Sequence, residues 1–227
     1  MPIGSFKLTL FLFLLHHNSM QAQQTVTPCN AVVFNGREYA RYSFYVNSGH
    51  AYFMTDTLYR GSVMYDGVAC DNVRLLYDEV ADQLITNDIT NIHLVQLVKQ
   101  KVDSFSIGDH RFIHIRKDKE VPDQPETGYY EVIHDRKIRV LKKEKKQMRQ
   151  NISLSTGPER SFQTEYIYYI KYKNKHYKVN SQKSLLSVFG ESKKQLRQFI
   201  SQNNLSYIKS SDEFIARSIA FAETLTP

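Results

Sequence analysis

The sequence predicts an α+β fold: an antiparallel β meander over about residues 61–180, followed by a C-terminal pair of amphipathic helices. Three observations carry that expectation. From Gly61 to Asn180, short runs of period-two alternation follow one another with turn-forming residues between them. No stretch in that range offers the crossover helix that parallel neighbours need. After Asn180 the apolar period becomes helical.

The chain begins MPIGSFKLTLFLFLLHHNSMQAQQ. Lys7 gives a thin positive region, Leu8 to Leu15 an apolar run, and a polar stretch ends in Ala22. That is the layout of a secretory signal peptide over 1–22. This eight-residue run covers only about 12 Å as a helix, against the ~30 Å of a bilayer core, so no transmembrane segment is expected in the mature chain. Residues 23–227 are then one mature domain of about 205 residues, enough for a full core.

Residues 23–60 are aromatic-rich and keep no helical period, and they read as an irregular lead-in containing strands. Asp66-Gly67 is a hairpin cue inside GSVMYDGVACDNV. In NVRLLYDEVADQLITND, alternating arms flank a polar tip. IHLVQLV, VDSFSIGDHRFIHIR, GYYEVIHDRKIRVLKK and TEYIYYIKYKNKHYKVN repeat the pattern, with bends at Gly108-Asp109, Asp135-Arg136 and Asn174-Lys175. Residues 116–128 read as an exposed loop, and 142–163 as a long polar link between two strands. In 181–227, Leu196, Phe199 and Ile200 share one helical face. Ser210 and Glu213 have capping-box spacing ahead of Phe214, Ile215, Ile219, Ala222 and Leu225.

The tip Asp78-Glu79-Val80-Ala81-Asp82 is the most site-like cluster. Paired-carboxylate catalysis needs two carboxyls across a cleft, one with a raised pKa. A solvated hairpin tip raises none, and Asp side chains at tips bond nearby backbone N–H groups. The expectation is therefore wet corners and no catalytic residue. The alternative is a hydrolase using Asp78 and Asp82 with a distant histidine. His110 and His114 have a helical metal-pair spacing but sit on a strand, where four residues span about 13 Å. His50 lacks the frame of a nucleophile turn. No metal site and no cofactor fingerprint is present.

Cys29 and Cys70 allow a disulfide in an exported chain, closing a loop that would stabilise the fold by roughly 4 kcal/mol. Charge is uneven. Residues 23–133 hold ten Lys/Arg and fifteen Asp/Glu, whereas 134–227 hold nineteen and eight. Arg136, Lys137, Lys142, Lys143, Lys145 and Lys146 are the candidate basic surface. Since export disfavours nucleic acid, the expected partner is an anionic envelope component or another envelope protein.

The stretches GSVMYDGVACDNVRLLYDEVADQLIT, FSIGDHRFIHI, GYYEVIHDRKIRVLKKEKK and the helical ending resemble a family of uncharacterised exported proteins common in Bacteroidota. Leu75, Tyr77, Asp78, Asp82 and Leu84 match that family's hairpin pattern, and Asp135-Arg136 stands where it tends to have Asp-Gly. The resemblance covers roughly residues 61–222. It implies export to the periplasm or outer surface of a Gram-negative bacterium and implies no established activity.

Overall fold

The turn chemistry builds the sheet. At Asp66-Gly67 both residues take positive φ (52° and 76°), the two-residue turn whose twist suits a hairpin. It joins β2 (Tyr59–Tyr65) to β3 (Val68–Asp78). Lys173 and Asn174 (47° and 62°) do the same between β10 (Gly157–Tyr172) and β11 (Lys175–Val179). The other strands are β1 (Arg37–Glu38), β4 (Gln83–Asn87), β5 (Leu94–Gln96), β6 (Val102–Ile107), β7 (His110–Ile115), β8 (Gly128–Asp135) and β9 (Arg139–Ser153). The computed structural model describes residues 29, 33, 36–118, 120–121, 123–153 and 157–225. The signal-peptide expectation for 1–22 lies outside them.

Among the described residues the strands form one sheet in the order β1-β5-β4-β3-β2-β6-β7-β8-β9-β10-β11, all pairs antiparallel. β1 pairs with β5 at the edge, and from β2 onward the meander is broken once, where β5 leads to β6 on the far side of β2. In a flat sheet those strands would stand about 19 Å apart. Only residues 97–101 join them, and three of these form a contracted 3-10 turn. The first half of the sheet must therefore curl. Its inner face holds one core, including Val63, Leu75, Tyr77, Leu84, Phe105, Phe112 and Tyr129. The Cys29–Cys70 disulfide, Cα–Cα 5.5 Å, fastens the lead-in against it.

Three α-helices follow the strands: α1 (Gln182–Val188), α2 (Lys193–Gln202) and α3 (Ser211–Thr224). They pack on the far end of the sheet in a second core of Ile138, Val140, Tyr168, Ile170, Leu185, Leu196, Phe214 and Ile219. The expected first helix is two, separated by a 3-10 turn at Gly190–Ser192. The expected capping box at Ser210 does not form, and its side chain makes no cap bond. A box forms instead at Ser181 and Ser184. Among the described residues no helix is long and apolar enough to cross a membrane.

The polar link expected over 142–163 is a correction. Apart from 154–156, which are outside the described residues, it is strand. The distal parts of β9 and β10 pair with each other as a ribbon, Lys146 opposite Thr164 and Asn151 opposite Glu159. Its outer residues are exposed on both faces, so no apolar alternation marked it in the sequence.

Candidate functional site

The β3–β4 turn carries the acidic cluster, and its environment overturns the wet-corner expectation. Asp78 is 0% exposed and Glu79 2%. Asp78 Oδ1 accepts the N–H groups of Val80 (2.9 Å) and Ala81 (3.0 Å), the turn role that the sequence suggested. Its Oδ2 accepts the hydroxyls of Tyr39 (2.8 Å) and Tyr42 (3.0 Å). These tyrosines come from the aromatic lead-in, which folds over the tip as a lid. The signal was present as Glu-Tyr-Ala-Arg-Tyr, but an irregular segment has no period from which to infer its target.

Because the sheet curls, the turn also reaches β8 and β9. Asp82 accepts the Tyr77 hydroxyl (2.7 Å) and the Lys99 ammonium (2.6 Å), and it lies 3.1 Å from Lys143 Nζ. Its Oδ1 also faces the Tyr129 N–H at 3.3 Å. Burial would raise its pKa, but the Lys143 charge and the Lys99 and Tyr77 hydrogen bonds outweigh that and hold it below the usual carboxylate range. Burial pulls the Lys143 ammonium down, against the pull of Asp82. Gly128 makes this clamp possible, because a Cβ there would collide with Lys143 Nζ and Asp82 Oδ2.

Glu79 is less well satisfied. Its Oε2 lies 3.0 Å from Lys146 Nζ without hydrogen-bond alignment, and its Oε1 has no donor among the described residues. Lys146 also faces Glu144 at 3.8 Å and donates to the Tyr52 carbonyl. One ammonium is thus shared by two carboxylates. Burial, reinforced by Glu144, pushes the Glu79 pKa up to about 8.

Above this floor opens a cleft of about 510 Å³ between the 50–54 segment, strands β7 to β9 and α3. His110 pairs with Glu131 (2.6 Å) and Lys142 with Asp212 (2.7 Å), while Glu144 and Lys146 continue the row along β9. Phe53, Met54, Ile133 and Ala216 supply apolar wall. Ile133 sits where the β8–β9 register shifts, the kind of irregularity that re-aims a side chain. Met54 is about half exposed and holds a left-handed φ of 54°.

The candidate basic residues do not form one surface. Lys142, Lys143 and Lys146 are turned inward onto Asp212, Asp82 and Glu79, and only Lys145 of that quartet is exposed. Arg136 and Lys137 are exposed in the β8–β9 turn. They join Arg139, Lys171 and Lys173 around a shallow depression in which Asp135 is the lone acid. Asp135, Arg139, Lys171 and His176 are successive partners across four strands. Asp135 takes Arg139 (2.6 Å) and Arg111 (2.6 Å). Burial and the Lys171 charge hold His176 below its ordinary pKa.

No histidine is bonded to Asp78 or Asp82 among the described residues, and neither carboxylate lines the cleft. His114 and His110 lie on strand β7, as expected. His114 Nδ1 bonds the Val102 carbonyl, and its Nε2 is buried without a partner. Among the described residues no three His, Cys, Asp or Glu side chains are placed to hold a metal ion. In comparisons with family models, curated proteins and solved structures, nothing matches the chain.

Proposed function

We propose that this is an exported, non-enzymatic binding protein of a Gram-negative envelope, of the Bacteroidota type that its sequence resembles. It engages an anionic envelope component through the basic end of its sheet. The observation that carries this reading is the depression between the β8–β9 and β10–β11 turns, where Arg136, Lys171 and Lys173 stand beside one carboxylate, Asp135, that Arg139 and Arg111 already hold. Such an excess attracts phosphate or carboxylate groups over a Debye length. The disulfide supports an oxidising compartment. The saturation of Asp78 and Asp82 by tyrosines, lysines and main chain supports a scaffold role over hydrolysis by those carboxylates.

The test is co-sedimentation with phosphatidylglycerol vesicles alongside titration with polygalacturonate, which separates lipid from polysaccharide sources. Reversal of Arg136, Lys171 and Lys173 to Glu should weaken binding to one of them at least about tenfold, with a matching loss of salt dependence. Binding indifferent to that triple reversal overturns the proposal. Lys142, Lys143 and Lys146 are unsuitable for such a test because reversing them breaks internal pairs.

A further inference from the structure

The cleft beside α3 has a chemistry unlike that of the basic end. Each ammonium on its wall faces a carboxylate: Lys142 with Asp212 at 2.7 Å, and Lys146 with Glu144 at 3.8 Å. His110 likewise sits on Glu131. An anion entering there meets three carboxylates against two ammonium groups, and a cation finds Asp212 already held by Lys142 and Glu131 by His110, so neither gains much net attraction. The carboxylates and Lys142 nevertheless keep hydrogen-bonding capacity, because an ammonium has three N–H donors and a carboxylate about four acceptor positions, whereas the three donors of Lys146 are directed at the Tyr52 carbonyl, Glu79 and Glu144. The wall is an array of alternating donors and acceptors whose charges are largely paired within it.

Three further features suit a ligand. Met54 and Ile133 place flexible apolar surface beside that array, with Phe53 buried behind them. Met54 is held in a left-handed conformation that a non-glycine residue adopts at a cost, and such strain gathers at ligand clamps. His50 Nδ1 accepts the Tyr52 N–H at 3.2 Å, which in the neutral ring leaves Nε2 as a donor at the cleft wall. The volume of about 510 Å³ falls in the range of small-molecule sites.

We propose that this cleft binds an uncharged, hydroxyl-rich ligand, a neutral saccharide of one to three residues. Sugar hydroxyls donate to Glu131, Glu144 and Asp212 and accept from Lys142 and His50. The apolar C–H face of the ring lies on Met54 and Ile133. Each hydroxyl is both donor and acceptor, which is what an alternating array can satisfy without a net charge.

The test is heteronuclear NMR titration of the full oxidised chain with maltotriose, cellotriose and tri-N-acetylchitotriose, set against galacturonic acid and spermidine as charged controls. At least one neutral sugar should shift the amides of 50–54, 131–133 and 212–216 with a Kd of about 1 mM or tighter. Met54→Gly, which relieves the left-handed strain and removes the apolar rim, and Glu131→Gln should each weaken it by about tenfold. Lys171→Glu at the basic end should leave it unchanged, so this test and that of the basic end fail independently. Preference for a charged control, shifts outside the cleft, binding indifferent to both cleft variants in spectra that remain native, or no shift with any neutral sugar at about 10 mM each overturns the inference.

Discussion

Replacing Glu79 by Gln isolates the least satisfied group in the fold. In the folded protein the Glu79 proton is held to about pH 8, against 4.5 for the free side chain. Between those values the folded state binds more protons than the unfolded one, so stability falls as pH rises. A difference of 3.5 units at 1.36 kcal/mol each sets a ceiling of about 5 kcal/mol, with a slope up to about 1.4 kcal/mol per pH unit. Lys146, Lys142 and Glu144 stand around the group in both proteins, as do the remaining titrating groups, so their effects largely cancel in the comparison. Glu79→Gln keeps the shape and removes the titration. Urea unfolding of the oxidised protein from about pH 4.5 to 8 should give a wild-type profile that declines and a variant profile that is flatter by several kcal/mol. The variant should be the more stable protein at the alkaline end. Parallel profiles would refute the reasoning, because Glu79 would then be ionised in the fold and neutralised by Lys146.

Two other substitutions probe the contacts that close the sheet. Gly128→Ala forces a Cβ against both members of the Asp82–Lys143 pair. It should lower unfolding free energy by about 2–3 kcal/mol, below the full cost of breaking a buried pair because the ammonium end can shift. A change under about 0.5 kcal/mol in denaturant unfolding, the scatter of ordinary surface substitutions, would count against the clamp. The acid limb should move with it. Asp82 has a depressed pKa, so its stabilisation is present above the normal carboxylate value and lost as pH falls through the folded one, and the variant should lose that part of the acid transition. Cys29→Ser with Cys70→Ser frees a loop with a sequence separation of 41 and should cost about 4 kcal/mol at constant pH. An unchanged urea midpoint under oxidising conditions would show that the lead-in is held by packing alone.

The strands and most turns were legible because their signals are local. Asp66-Gly67, Gly108-Asp109 and the alternation of VDSFSI and HRFIHI each specify a hairpin arm within ten residues, and the sheet has them there. The ribbon from Lys145 onward was not legible, since a strand solvated on both faces shows no alternation. The cleft was illegible for another reason. His50, His110, Glu131, Glu144 and Asp212 come from five separate segments, and only the curl and the helical end bring them together.

The charge asymmetry between the halves looked like evidence for an external anion, and the structure divides it in two. Glu79 and Asp82 from the acidic half meet Lys146 and Lys143 from the basic half, three positions apart on the turn and three apart along β9. Part of the imbalance is thus an internal match that fixes how the curled half sits on β9. Had the tip been solvated, those lysines would be exposed at the cost of only their own hydration. Because it is buried, removing Asp82 or Lys143 strands the other's charge in a poorly hydrated site. Part of the surplus that remains gathers at Arg136, Lys171 and Lys173, beside the one carboxylate of Asp135 that Arg139 and Arg111 hold. The proposed anion-binding role is therefore assigned there, since Lys143 and Lys146 are turned onto Asp82 and Glu79.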